Sequence, residues 1–128
     1  MHVVADANGL MMPFQFDFNL EAEILRVVGV CEILVPSSVY EELRRLCTPE
    51  ANAALALLSA LTARPKDRLR ARIVESRMKG DEAIIHLARE YKAPALTADR
   101  GIIARLNREG LSILRLRQKR YLELRGGI

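Results

Sequence analysis

Residues 81–117 read DEAIIHLAREYKAPALTADRGIIARLNREGLSILRLR, and their alternation decides the fold class. Ile84, Ile85, Ala88 and Tyr91 recur at the three- and four-residue spacing of one helix face. The apolar run APALTA that follows predicts a buried strand, RGIIARLNREG a second helix and LSILRLR a second strand. Helix and strand in strict alternation imply parallel strands joined by helical crossovers, because parallel neighbours cannot be closed by a tight hairpin.

The same pattern recurs upstream. Val3, Val4 and Ala5 read as a short buried strand that ends on Asp6, followed by the turn-forming trio Ala7, Asn8 and Gly9. A helical pattern from about Asn19 to Val28 stops at Gly29 and is followed by the strand CEILVP. Ser37 or Ser38 is expected to cap the helix SVYEELRRL, and a second helix runs from Pro49 to about Ala63, stopped by Pro65. The basic stretch RLRARIVESRMKG predicts a short strand or loop around Ile73. The expectation is one domain over residues 1–128, a three-layer α/β/α sandwich with a central, mostly parallel sheet.

Composition narrows the function classes. A chain of 128 residues, half of them hydrophobic, can bury a core without disulfides or a structural metal. No run reaches membrane-spanning length, and the N-terminal residues lack the pattern of a signal peptide, so a cytoplasmic location with no membrane partner is expected. Cys31 and Cys47 form no close pair and read as packing residues. The net charge is +4, with basic residues gathered at Arg44 and Arg45, from Arg64 to Lys79, and from Arg115 to Arg120. Such clusters suit a phosphate backbone, and equally suit solvated helix surfaces.

In open parallel sheets, ligands bind beyond the carboxyl ends of the strands. Asp6 follows the first strand and Asp99 follows APALT, so both belong to that rim. Asp81 opens a helix on its apolar side, three and four residues before Ile84 and Ile85. Glu42 borders the apolar face made by Val39, Tyr40, Leu43 and Leu46, whereas Glu41 points to solvent. Three of these acids have a plainer role: Asp6 and Asp81 as helix caps, Glu42 as a solvated surface residue. Together they imply like charges converging on one rim, a repulsion that divalent cations relieve. An all-carboxylate set without histidine or thiolate suits Mg²⁺ or Mn²⁺, and such a site in a basic protein points to phosphodiester hydrolysis.

The motifs VVADAN, VPSSVYEEL, KGDEAIIHLA and ALTADRGI followed by LSILRL, in this order, resemble the PIN-domain nucleases over essentially the whole chain. The resemblance implies a metal-dependent ribonuclease in which Asp6, Glu42, Asp81 and Asp99 match the acidic cluster, and Asn8 and Thr97 match polar positions that support it. Asn8 and Thr97 also suit a turn and a strand for backbone reasons alone. Arg100 and Lys79 adjoin the acids as candidates to hold the scissile phosphate, or as solvated cations. The opening DANGLMMPFQF is most similar to archaeal members related to ribosomal-RNA processing nucleases, rather than to toxin halves of toxin–antitoxin pairs. One departure is Gly101, where many relatives carry a further acid; it puts the second ion in question.

Expected partners are RNA and a second copy of the chain, with AALALLSAL supplying either a dimer face or core; a protein inhibitor or ribosome-assembly partner is a further candidate. Phosphatases of the haloacid dehalogenase type need a second acid where this chain has Asn8, and receiver-like domains need adjacent acids that are missing. The competing readings are a toxin component and an RNA-binding module that has lost turnover through Gly101.

Overall fold

Val3, Val4 and Ala5 are wholly buried because β1 (His2–Ala5) lies in the middle of a sheet covered on both faces. The computed structural model describes residues 1–126. After β1 come α1 (Ala7–Gln15), α2 (Leu20–Val27), β2 (Glu32–Pro36), α3 (Ser37–Leu46), α4 (Pro49–Thr62) and β3 (Arg70–Val74). Then follow α5 (Asp81–Tyr91), β4 (Ala95–Leu96), α6 (Arg100–Arg108), β5 (Ser112–Arg117) and β6 (Tyr121–Gly126). The six strands lie in the order β3-β2-β1-β4-β5-β6. The first five run parallel, and β6 returns antiparallel to β5.

This order fixes the layers. The chain winds outward from β1 to β3, then crosses back through α5 to β4 and on to β5. Right-handed crossovers in opposite directions put their helices on opposite faces, so α1, α3 and α4 pack together on one side and α5 and α6 on the other. The winding direction reverses between β1 and β4, the crevice where such folds bind ligands. Leu10, Ile24, Leu34, Leu43, Ile84 and Leu114 are among the fully buried side chains that join the layers. Each is worth about 1.5–3 kcal/mol of burial.

The expected three-layer α/β sandwich is therefore the observed one. Several local expectations differ. Ala7, Asn8 and Gly9 form the first turn of α1, not a loop, because Asp6 caps the helix through the Gly9 N–H at 2.6 Å. Gly9 serves packing: a Cβ there would lie 2.2 Å from the Leu96 carbonyl oxygen, so only glycine lets α1 approach β4 this closely. Neither Ser37 nor Ser38 caps α3. Pro36 holds that position, and the Ser37 hydroxyl instead accepts the Ser76 N–H at 3.0 Å, tying α3 to the loop that leads into α5. Gly80, at φ 58°, holds the cap position of α5, so Asp81 is the first helical residue and not its cap.

Leu46, assigned to the buried face of α3, is exposed, because the helix ends there in the left-handed residue Cys47. Cys31 packs in the core, where burial pushes its thiol up to about 11, but Cys47 is exposed and does no packing. In AALALLSAL, Ala54, Leu58 and Leu61 are buried in the core, while Ala56, Ser59 and Ala60 are exposed. The basic stretch around Ile73 is the edge strand β3. Among the described residues, no helix is long and apolar enough to cross a membrane.

Candidate active site

Asp6 and Asp99 follow the ends of β1 and β4, and Glu42 and Asp81 are carried by α3 and α5, the helices that follow β2 and β3. Asp6 stands between β1 and α1, buried at 7% exposure, with one carboxylate oxygen capping α1 through Gly9 and the other accepting the Thr97 hydroxyl. A single side chain thus both caps α1 and lines the cleft. Thr97, fully buried just past β4, gives its only hydroxyl hydrogen to Asp6 and accepts the Asp99 N–H at 3.0 Å, so it links the β1 and β4 ends. Asp99 caps α6 by accepting the Ile102 N–H at 3.0 Å. Glu42, on the second turn of α3, and Asp81, at the start of α5, are exposed.

These four acids line one cleft of about 140 Å³ together with Asn8 and the apolar side chains of Val39, Ile84 and Ile102. Among the described residues, no lysine or arginine lines it. Burial holds the Asp6 carboxyl above its ordinary value; the Thr97 and Gly9 hydrogen bonds oppose this, and the nearby charges of Asp99 and Glu42 raise it further. Among the described residues, no three acid, histidine or cysteine side chains are gathered tightly enough to enclose an ion as they stand. The donor set nevertheless fits a hard divalent cation: it is all oxygen, it has no internal cation, and its buried member is under electrostatic pressure. Asp6 and Asp99 are fixed by hydrogen bonds, while Glu42 and Asp81 are exposed, which leaves them free to swing inward.

Gly101 belongs to the same cluster. A Cβ added there would lie 3.2 Å from an Asp99 carboxylate oxygen and 3.9 Å from one of Asp81, so any side chain at this position would enter between the two acids. The predicted phosphate-holding residues are not in the cleft. Lys79 lines a neighbouring groove of about 690 Å³ that shares Glu42 and Gly80 with it, and Arg100 is exposed at the first position of α6. The groove also holds Arg45, read from the sequence only as part of a basic cluster, and Ser38, read only as a possible helix cap. Arg45 follows Glu42 by three positions and so shares its side of α3, a signal that helical spacing carries. The Ser38 hydroxyl oxygen is buried without a hydrogen-bond partner, which no sequence pattern shows.

Comparison with known proteins agrees with this architecture. The family profile described as PIN like domain matches residues 3–119. Ribonuclease VapC4 of Methanocaldococcus jannaschii is 28% identical over 137 residues, covering 97% of this chain and 96% of that protein. The solved structure of the PIN domain endonuclease Utp24 superposes with a TM-score of 0.75 at 19% identity, over 98% of this chain and 90% of that one, a likeness of fold. With the strand order, the acid-lined crevice and a profile match over nearly its whole length in agreement, the chain belongs to the PIN-domain nuclease family.

Proposed function

We propose that this protein is an endoribonuclease that hydrolyses RNA phosphodiester bonds with Mg²⁺ or Mn²⁺ held by Asp6, Glu42, Asp81 and Asp99, and that it acts in RNA processing. One observation carries the reading: four carboxylates from separate parts of the chain line a single cleft that no lysine or arginine among the described residues enters. A bound divalent ion supplies an activated water and polarises the scissile phosphate. The chain's own part is positioning. Gly9 and Thr97 fix both oxygens of Asp6, and the Ile102 N–H orients Asp99. Val39, Ile84 and Ile102 give the cleft a dry wall that strengthens charge interactions inside it. Lys79 and Arg45 offer their cations to flanking phosphates from the adjoining groove.

Gly101 favours one second reading, a weakly active member that mainly binds RNA, since it leaves open the place between Asp81 and Asp99 where a further acid would fit. Cleavage of single-stranded and structured RNA with Mg²⁺, Mn²⁺ or EDTA, beside an Asp6→Asn control, tests both. The nuclease reading requires turnover that EDTA and Asp6→Asn abolish; binding without turnover at saturating Mn²⁺ selects the second. Cleavage indifferent to metal would overturn the proposed chemistry.

A further inference from the structure

The β5–β6 hairpin stands on the same rim as the acids. Leu96, the last residue of β4, pairs with Leu114, but β5 continues three residues further to Arg117, roughly 10 Å at about 3.3 Å per residue. The Arg120 N–H closes the turn on the Arg117 carbonyl at 3.0 Å. The hairpin therefore rises beside the acid cleft, one strand from the Asp99 loop. From Arg115 to Arg125 it carries five cations against the single carboxylate of Glu123. Arg117 and Arg125 share that carboxylate, while Lys119 and Arg120 at the tip have no acidic partner among the described residues.

Two further features mark the tip as more than a solvated surface. Gln118 and Lys119 both adopt the left-handed region, at φ 53° and 57°. They belong to the three-residue loop 118–120 between the paired Arg117 and Tyr121, and left-handed positions in such a turn favour glycine or asparagine, so a cation is kept at the tip at a conformational cost that glycine would remove. Beside it, Tyr121 pairs across the ladder with Arg117 and is 36% exposed, with the Arg26 guanidinium 5.9 Å from its ring centroid. Arg26 also donates to the Leu122 carbonyl at 2.8 Å, and Glu23 accepts the Leu122 N–H at 2.7 Å, so α2 braces this strand from outside. A rigid aromatic among cations is the surface on which an unpaired base stacks while its phosphates are neutralised.

We propose that the β5–β6 hairpin is an RNA-binding arm that holds an unpaired segment beside the scissile bond, its phosphates against Lys119 and Arg120 and one base against Tyr121. This rests on the ribonuclease reading and adds to it the segment of the chain that grips the RNA beside the acid cleft.

The test is fluorescence anisotropy of the full chain with a labelled single-stranded RNA oligonucleotide in EDTA, with melting temperatures recorded alongside. Lys119→Gly relieves the left-handed turn and removes the cation, so it should raise the melting temperature, weaken binding several-fold and lower the slope of log affinity against log salt by about one. Tyr121→Ala should weaken binding by about tenfold and Tyr121→Phe hardly at all. Lys66→Ala with Arg68→Ala, which precede β3 and so lie at the opposite end of the sheet, should leave affinity unchanged.

Wild-type affinity in the hairpin variants, or an equal loss in the opposite-end control, would overturn the arm while metal-dependent cleavage by the wild type kept the ribonuclease reading intact. Equal competition by duplex RNA would overturn the stacking role of Tyr121. A wild-type protein that neither binds nor cleaves RNA would overturn both.

Discussion

The Thr97 hydroxyl donates to the carboxylate of Asp6, a residue 91 positions away in sequence, and both groups are buried. Because the same hydroxyl accepts the Asp99 N–H, the geometry of two acids that line the cleft depends on one side chain. Thr97→Val keeps the shape but removes donor and acceptor together. It should cost about 1.5–3 kcal/mol, since a buried charged group loses its partner, and lower metal-dependent cleavage by about 10–100-fold. Thr97→Ser should stay near wild type in thermal melts and cleavage rates. Equal activity in Thr97→Val and wild type would show that the link is packing only.

Burial gives Asp6 a testable pH signature. Its folded value lies above the ordinary 3.8, chiefly through desolvation, so above pH 3.8 the unfolded chain gives up this proton while the folded chain still holds it. Metal-free stability due to this group is therefore full below that value and falls as pH rises through the folded one. Asp6→Asn removes the titration. The variant's melting temperature relative to wild type should climb across that window and level off above it. At neutral pH, Mn²⁺ should stabilise the wild type and not the variant, because only a folded-state ligand shifts the transition. A pH-independent difference between the two proteins would place the Asp6 carboxyl in water.

Gly101 invites the opposite experiment. Its Cβ direction points between Asp99 and Asp81, so Gly101→Asp should add a fifth carboxylate to the cluster. In the absence of metal it should destabilise the domain through like-charge repulsion, and it should tighten Mn²⁺ binding by calorimetric titration. Gly101→Asn, similar in shape and neutral, separates crowding from charge. Unchanged Mn²⁺ affinity in Gly101→Asp would mean that Asp81 and Asp99 do not share an ion.

What the sequence showed and what it hid follow from the range of the forces involved. The helix from Asp81 to Tyr91 was legible because its apolar stripe is periodic, and Ile84, Ile85 and Ala88 are indeed buried. Helix α1 was not, because Ala7-Asn8-Gly9 is a local turn signature, and the reason for Gly9 is a distant contact with Leu96. Strand β6 was hidden for a related cause: its turn lacks the glycine or asparagine that announces a hairpin, and the left-handed pair is Gln118 and Lys119. The rim positions of Asp6 and Asp99 could be read from strand ends. The Thr97 bridge between them could not, since threonine in a strand has an adequate local explanation.

Helical phase separates the neighbours Glu41 and Glu42, which composition cannot. Val39 and Leu43 are buried on α3, and Glu42 lines the acid cleft, close enough for its charge to help hold the Asp6 carboxyl high. Glu41 is exposed, pairs with Arg44 at 3.5 Å on the surface and does not line that cleft. Glu42→Gln keeps the shape and removes one of the repelling charges. It should therefore abolish most metal-dependent cleavage, weaken Mn²⁺ binding, and leave the metal-free melting temperature unchanged or slightly raised. Glu41→Gln breaks only a weak exposed ion pair and should fall within about 0.5 kcal/mol of wild-type stability with cleavage intact. Cleavage and Mn²⁺ titration on the two variants side by side decide the matter: an active Glu42→Gln protein beside an inactive Glu41→Gln protein would remove Glu42 from the site and assign the α3 acid to the larger groove instead.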